Sequence, residues 1–198
     1  MKRIFDVTVS FLGLILLLPL ILTISLLIIA DDKGPVFFTQ WRVGKDGRLF
    51  VLYKFRSMKI TGSGSDATFE PGNTARVTKV GRFIRSNKID EIPQLLNVLK
   101  GEMSLVGPRP EIQSWVDLCP ERWKKILTVR PGITDNASLE FRNEEAILVE
   151  SKDPEATYRE IILPRKLDLY DQYISHHSFA GDLMLIIKTL LSLIKKTA

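Results

Sequence analysis

Cysteine and histidine are nearly absent from this 198-residue sequence, and their scarcity narrows its chemistry. The single cysteine, Cys119, rules out an internal disulfide bond and agrees with a reducing, cytosolic setting. The two histidines, His176 and His177, are adjacent, which is poor spacing for two ligands of one metal ion. The sequence also lacks a Walker lysine loop, a dinucleotide-binding glycine fingerprint and a G-x-S-x-G motif. These absences argue against the zinc-cluster, P-loop and serine-hydrolase classes.

The charge balance favours an anionic partner. Lys and Arg number 28 against 23 Asp and Glu, which gives a net charge of +5. Nucleic acid, an anionic membrane surface and a phosphorylated small molecule all fit that charge. The length fits one domain with an appendage, and the 45% apolar content can support a packed core.

Charged residues are missing altogether from residues 7–30. As a straight helix this segment would measure about 36 Å, which is enough for a hydrocarbon core of about 30 Å. The segment is too long for a secretory signal peptide, and no A-x-A-like cleavage site follows it. It therefore predicts membrane association.

Two membrane topologies fit this apolar segment. Pro19, near its middle, donates no backbone hydrogen bond and clashes with the preceding turn, so a helix should kink there. Positive residues flank both ends, namely Lys2, Arg3, Lys33, Arg42, Lys45 and Arg48. The positive-inside rule places both flanks in the cytoplasm, and a kinked helix that enters and leaves the same face satisfies it. A straight spanning anchor with a mid-helix proline is the alternative, and these residues alone favour neither.

Three segments after the apolar run have clear local patterns. Residues 36–55 predict a β-hairpin, because two aromatic and β-branched runs flank a Gly-Lys-Asp-Gly turn. Residues 61–73 are rich in Gly, Ser and Thr and predict a loop. Residues 86–100 predict a helix with an apolar stripe, which Gly101 ends.

Two helices are predicted towards the C-terminus, at residues 158–173 and 181–198. The second has a wide apolar arc edged by lysines, which is typical of a helix lying in a membrane interface. Packing against the protein core explains the same pattern equally well, so both interpretations stay open.

Asp90 and Glu91 are adjacent carboxylates in a stretch otherwise rich in Lys and Arg. A solvated helix face accounts for such a pair, and so does a site that handles phosphate. Pro93 places the pair at or just before a helix start, where phosphate is favoured. A carboxylate there can attack phosphorus or share Mg2+ with phosphate oxygens. The cations suited to a diphosphate are Lys54, Arg56, Arg82, Arg85, Arg109 and Arg130.

Three ordered motifs resemble those of bacterial monotopic phosphoglycosyl transferases, the small polyprenyl-phosphate sugar-phosphate transferases that begin glycan assembly. The motifs are YKFRSM at residues 53–58, RSNKIDEIPQLLNVLKGEMSLVGPRP at residues 85–110 and RPGIT at residues 130–134. The resemblance covers almost the whole chain, and three motifs in order are far more specific than any one of them.

The resemblance implies a two-step reaction. Asp90 is the implied nucleophile on the β-phosphate of a UDP-sugar, so that UMP leaves and a phosphosugar stays on the enzyme. Polyprenyl phosphate, usually undecaprenyl phosphate, then accepts the phosphosugar. Glu91 is the implied partner, and both carboxylates are expected ligands of a Mg2+ cofactor. The expected substrate-binding residues are Lys54, Arg56, Arg82, Arg85, Arg109, Arg130 and Arg142.

For the fold, the resemblance implies an α+β, mostly helical protein with a small β-hairpin and interfacial amphipathic helices. Residues 1–32 are expected to form a re-entrant membrane helix broken at Pro19. Residues 33–198 are expected to form the catalytic domain, including the interfacial C-terminal helix. The expected location is the cytoplasmic face of the bacterial inner membrane. Nucleic acid is not an expected partner, and a homodimer is compatible with such a domain.

Two features depart from the family pattern. Leu18 precedes the proline, where a serine is frequent, and residues 135–145 replace the Gly and polar run that follows RPGIT in many members. The second difference marks a subgroup and leaves the donor sugar undetermined. Two other functions stay open on the same residues: a non-enzymatic membrane-tethered scaffold, and a lipid-linked diphosphate hydrolase.

Overall fold

A computed structural model of the chain describes residues 1–59 and 76–194. The loop predicted at residues 61–73 lies outside the described residues, as do Lys195 and Lys196 of the predicted C-terminal helix. The described chain is mostly helical with two small sheets. This confirms the predicted α+β, mostly helical class and adds one sheet to it.

The apolar N-terminal segment forms one helix, α1 (Lys2–Asp31), which continues through Pro19. The helix is thus not interrupted at Pro19, where a break was predicted, because a proline removes only one backbone donor from a long hydrogen-bonded ladder, and the kink at Pro19 stays a prediction. The Thr23 hydroxyl donates to the Pro19 carbonyl at 2.9 Å, and the Ser25 hydroxyl donates to the Ile21 carbonyl at 2.7 Å. Within the described residues, α1 is the one helix long and apolar enough to cross a membrane. Its re-entrant placement stays a prediction.

Most of the α1 surface faces away from the protein. A narrow stripe packs inward, where Ile24 and Ile28 share a core cluster with Phe55 and Ile84. The exposed side chains are large and apolar, and include Phe11, Leu12, Ile15, Leu16, Leu22 and Leu26. A contiguous apolar surface of this kind is typical of membrane contact.

Polar contacts join both ends of α1 to the folded domain. Near the N-terminal end, the buried Asp6 carboxylate accepts a hydrogen bond from the Ser104 hydroxyl at 2.7 Å. At the C-terminal end, the Arg56 guanidinium pairs with the Asp32 carboxylate at 2.8 Å and also donates to the Asp32 carbonyl. The helix is therefore docked at both ends rather than projecting from the domain.

The predicted β-hairpin is confirmed. β1 (Phe37–Val43) pairs antiparallel with β2 (Leu49–Phe55), and the register places the first residue of each strand opposite the last residue of the other. Asp46 and Gly47 in the connecting turn have φ values of 57° and 74°, a conformation that Asp and Gly tolerate better than most residues. The hairpin fixes the position of Lys54 near the end of β2.

The region predicted as one helix at residues 86–100 contains a tight turn, so that prediction was wrong in its first part. The structure divides the region around it into α2 (Lys79–Ser86), a 3-10 turn (Ile89–Glu91) and α3 (Gln94–Lys100). Lys88 is left-handed, with φ of 55°, and Pro93, which is tolerated near a helix start but not inside a helix, is the N-cap of α3. Gly101, with φ of 87°, ends α3 as predicted.

A second, unpredicted sheet pairs β3 (Ser104–Val106) in parallel with β4 (Gly132–Thr134). The two backbones almost touch at the end of this pair. A Cβ atom added to Gly132 would lie 2.1 Å from the Gly107 nitrogen, an approach that only glycine permits. The sheet brings the GPRP and RPGIT segments side by side.

Helices form the rest of the domain: α4 (Gln113–Val116), α5 (Pro120–Ile126), α6 (Asn136–Glu140), α7 (Glu144–Glu150), α8 (Pro154–Thr157), a π-helical turn (Tyr158–Ile162), α9 (Leu163–His176) and α10 (Phe179–Ile194). The two predicted C-terminal helices are confirmed as far as residue 194. On α10, Leu185 packs beside Tyr173, whereas Met184, Ile187 and Leu190 are exposed. One face of α10 therefore packs on the core and another is open, and its place in a membrane interface stays a prediction.

Candidate active site

Asp90 and Glu91 lie in the 3-10 turn that precedes α3, just before a helix start as predicted. Lys54 reaches this turn from β2, and Arg109 reaches it from the loop after β3. The structure thus brings four predicted site residues, from two of the three family-like motifs, into one cluster.

Glu91 is held by two cations. Arg109 donates to both carboxylate oxygens, one of them at 3.3 Å, and the Lys54 ammonium donates at 3.1 Å. Burial would raise the pKa of Glu91, but the charges of Arg109 and Lys54 outweigh it and hold that pKa well below its usual range. The charge of Glu91 in turn raises the pKa of Arg109. Glu91 is therefore ionised, and both of its oxygens are engaged.

Asp90 has a different environment. It is 7% exposed, and within the described part of the chain its Oδ1 atom has no hydrogen-bond partner. Its Oδ2 atom lies 4.0 Å from the Lys54 ammonium. Burial raises the pKa of Asp90, while the charge of Lys54 acts in the opposite direction. Asp90 thus has a buried carboxylate oxygen without a hydrogen-bond partner among the described residues, and a carboxylate in this state can act as a nucleophile or bind a metal ion.

The carboxylates form a small donor set for a metal ion. Residues 1–59 and 76–194 contain no group of three or more His, Cys, Asp or Glu side chains that could hold one. Mg2+ needs only one or two protein carboxylates, because substrate phosphates and water complete its coordination. The free Oδ1 of Asp90 fits that role, whereas both Glu91 oxygens already accept hydrogen bonds. Mg2+ ligation by Asp90 and Glu91 stays a prediction.

Arg85 and Arg82, two further predicted substrate contacts, lie on α2 close to the carboxylate turn. Arg85 pairs with Glu145 of α7 at 2.8 Å, and its charge also acts on Asp90. Arg82 is exposed on the same helix. The charge of Arg85 thus reaches the carboxylate turn, and the contact of both arginines with substrate stays a prediction.

The other three predicted arginines lie in different surroundings. Arg56 is 5% exposed and is engaged by the end of α1. Arg130 donates to the Gly101 carbonyl at 2.8 Å. Arg142 is half-buried between α6 and α7. Arg56 and Arg130 are thus engaged by groups other than Asp90 and Glu91, and the substrate roles of all three stay predictions.

Sequence reasoning missed a set of buried polar residues behind Arg109. Glu111 accepts hydrogen bonds from Arg42 and Tyr158, and Tyr158 in turn accepts one from Lys166. The single signal in the sequence was the position of Glu111, directly after the GPRP segment. The other three residues are distant in sequence, so no local pattern connects them.

Comparison with known proteins gives several extensive matches. The model of the bacterial sugar transferase family matches residues 1–196. The chain is 44% identical over 153 residues to an undecaprenyl-phosphate glucose phosphotransferase of Komagataeibacter xylinus, covering 74% of this chain and 29% of that protein. It is 38% identical over 164 residues to a UDP-glucose:undecaprenyl-phosphate glucose-1-phosphate transferase of Klebsiella pneumoniae. This match covers 79% of this chain and 34% of that protein. It is 37% identical over 193 residues to the uncharacterized sugar transferase EpsL of Bacillus subtilis (strain 168), covering 96% and 85%.

The chain spans only 29% and 34% of the first two relatives, but 85% of the third. The family match includes the whole carboxylate cluster and both ends of α1. It therefore confirms the family that the three motifs predicted. This protein belongs to the bacterial sugar transferase family.

Proposed function

We propose that this protein transfers a sugar 1-phosphate from a UDP-sugar to undecaprenyl phosphate or a related polyprenyl phosphate and releases UMP. The contrast within the carboxylate pair carries the proposal. Arg109 and Lys54 donate hydrogen bonds to the Glu91 carboxylate, whereas one carboxylate oxygen of Asp90 has no hydrogen-bond partner within the described residues. The names of relatives supply the substrate classes, UDP-glucose and undecaprenyl phosphate. The product is a lipid-linked sugar diphosphate that begins the assembly of a glycan.

Asp90 acts as the nucleophile of the first step. A carboxylate oxygen forms a bond to the β-phosphorus of the UDP-sugar, and the bond from that phosphorus to the bridging oxygen breaks. UMP leaves with the bonding electrons, and the sugar phosphate stays on Asp90. In the second step, a phosphate oxygen of the lipid attacks the same phosphorus. The Asp90–phosphorus bond then breaks, which restores the carboxylate and releases the product.

Lys54 and Arg109 support the charge changes of both steps. Lys54 lies 4.0 Å from Asp90, and Arg109 pairs with the neighbouring Glu91, which orients both cations, so they offer fixed positive charge to a diphosphate without reorganisation. Asp90 must be ionised to attack. Because burial raises its pKa, the rate of the first step should fall as the pH decreases through that raised pKa.

A Mg2+ ion at this site would neutralise charge on the diphosphate and on the leaving UMP. The Asp90 carboxylate would hold it together with phosphate oxygens of the substrate. Glu91 keeps Arg109 and Lys54 in place, and this is the task its contacts support best.

For the membrane, we infer that α1 enters and leaves on the same, cytoplasmic face. Its two ends contact the same domain, through Asp6 at one end and Asp32 at the other, so they lie on the same side as that domain. The middle of α1 exposes large apolar side chains, and α10 exposes a second apolar face. A helix docked in this manner can rest in one leaflet with its charged flanks in the cytoplasm.

Cysteine labelling tests this topology. In a Cys119→Ser background, we expect Ile4→Cys and Lys33→Cys to react with a membrane-impermeant maleimide in inside-out vesicles and not in intact spheroplasts. Leu16→Cys, whose native side chain is 80% exposed at mid-helix, should react only after detergent is added. Labelling of the two flanks from opposite sides would establish a spanning helix instead.

Turnover with a panel of UDP-sugars and undecaprenyl phosphate tests the reaction. We expect one UMP per sugar phosphate transferred, with the sugar recovered in the lipid fraction. Without the lipid, UMP release should stop at about one equivalent per enzyme, as for any covalent intermediate that awaits its acceptor. Accumulation of free sugar phosphate would indicate a hydrolase, and no UMP release with any donor would favour a non-enzymatic scaffold.

A further inference from the structure

A buried network of polar and charged side chains lies behind Arg109. Glu111 is 6% exposed, and its carboxylate accepts from the Tyr158 hydroxyl and from an Arg42 nitrogen at 3.2 Å. Tyr158 accepts from the Lys166 ammonium at 3.3 Å, and Lys166 also pairs with Glu144 at 2.7 Å. The mechanism proposed above uses none of these groups, although they occupy the interior directly behind the carboxylate cluster.

Glu111 is connected to Arg109 through two intervening peptide bonds, and this short stretch is fixed on both sides. After Arg109, the Arg42 guanidinium donates to the Pro110 carbonyl at 3.3 Å, and the Val43 amide donates to the Glu111 carbonyl at 2.8 Å. Before Arg109, the Gly132 amide donates to the Pro108 carbonyl at 2.9 Å. The backbone of Arg109 therefore has little freedom to move relative to the Glu91 carboxylate.

Glu111 also offsets a charge that would act on Arg109. Arg42 and Arg109 are two guanidinium groups close enough to repel each other. Each has its own carboxylate: Glu111 accepts from Arg42, and Glu91 accepts from Arg109. Without a charge on Glu111, Arg42 would remain buried and unpaired beside Arg109, and the two carboxylate partners would no longer match the two cations.

We propose that Glu111 is a positioning residue. It holds Arg109 on Glu91 by neutralising Arg42 and by keeping the GPRP segment in contact with β1. Tyr158 supports it by donating to the same carboxylate. The proposal rests on the proposed transferase reaction, in which Arg109 is part of the active site. It assigns to the buried network a role in the geometry of that site rather than in contact with substrate.

Glu111→Gln keeps the side-chain volume and removes the charge. We expect it to slow formation of the Asp90 adduct roughly tenfold, since small displacements of positioned groups have effects of this size or more. Arg42→Met should also slow it, because an unpaired Glu111 would draw Arg109 away from Glu91. The double variant restores neutrality and should recover most of the rate, which a role in packing alone would not produce. Glu140→Gln, which breaks the exposed pair with Arg165, is the matched control.

Tyr158→Phe is the milder variant, because it removes no charge and takes away a single hydroxyl, with the hydrogen bond that it donates to Glu111 and the one that it accepts from Lys166. We expect its adduct formation to slow roughly threefold, in proportion to the loss of one support. If Glu111→Gln does not fold, this variant decides the matter. Unchanged adduct rates in the folded variants, or a double variant no faster than either single one, would overturn the proposal.

A stability cycle separates this proposal from the proposed reaction. The thermal shifts caused by Glu111→Gln and Arg109→Met should be non-additive in the full-length protein, whether or not any UDP-sugar is turned over. Absence of turnover in the wild type, with this coupling intact, would refute the reaction only. Additive shifts would refute the positioning role only.

Discussion

Replacing Asp90 with asparagine is expected to abolish both turnover and the covalent phosphosugar adduct. The amide keeps the shape of the side chain but cannot attack phosphorus, and loss of a catalytic nucleophile lowers kcat by about 10⁴-fold or more. The variant should fold at least as well as the wild type. Burial raises the pKa of Asp90, which means that the ionised carboxylate destabilises the folded state at neutral pH. Asparagine removes that unfavourable charge.

Mass spectrometry after incubation with a UDP-sugar checks the Asp90→Asn result directly. The wild type should gain one sugar phosphate, and the variant should gain none. Asp46→Asn is the matched control: it makes the same chemical change at an exposed turn, where asparagine tolerates the positive φ. A normal adduct in Asp90→Asn would remove this residue from the role of nucleophile. Loss of the adduct together with a lower melting temperature would instead point to a folding defect.

Removing Arg109 should have the largest effect on stability. Arg109→Met leaves the largely buried Glu91 with Lys54 as its remaining ion-pair partner among the described residues, and breaking a buried ion pair costs about 3–5 kcal/mol in the free energy of unfolding. Adding Glu91→Gln should recover a large part of this loss, because replacing both partners of a buried pair is often close to neutral. The double variant should remain inactive, since the proposed reaction needs the positive charge of Arg109 in the site.

The loss of stability in Arg109→Met should depend on pH, in a direction that follows from the lowered pKa of Glu91. The pKa of Glu91 in the folded protein lies below its usual value of 4.5, so its ion pair stabilises the protein above that pH and loses this effect as the pH falls through the lowered pKa. The deficit of Arg109→Met should therefore be full at neutral pH and shrink below 4.5. Urea unfolding in detergent micelles at several pH values measures it. Arg165→Met, at an exposed pair, should change stability little at any pH. A pH-independent deficit would contradict the role assigned to Glu91.

The sequence was most informative where chemistry is local. The clustering of Lys54 and Arg109 around the carboxylate pair was predictable because each residue lies in a recognisable motif, and the hairpin followed from its turn residues. The exposed apolar faces of α1 and α10 followed from composition and periodicity. The unequal environments of Asp90 and Glu91 were not predictable. Their adjacency in sequence does not determine which carboxylate will pair with cations from other parts of the chain.

The features that the sequence did not predict depend on contacts between distant parts of the chain. β3 and β4 are three residues each, too short for a detectable alternation, and they meet only because two glycines allow close approach. Arg56 sits in a motif beside Lys54, but its buried partner is Asp32, at the end of α1. The helix predicted over residues 86–100 overlooked the left-handed Lys88, since a lysine gives no signal for that conformation.

In the proposed membrane placement, the docking of α1 couples the lipid bilayer to the site that contains Asp90. Ile24 and Ile28 bury Ile84 of α2, and α2 leads directly into the turn that carries Asp90. Whatever holds α1 in its docked position therefore also supports the turn that carries Asp90. In thermodynamic terms, a bilayer that binds α1 in the proposed way would be a ligand of the native state, and its binding free energy would add to the stability of this site. Detergent that withdraws α1 from this position would weaken the site without touching a single residue in it.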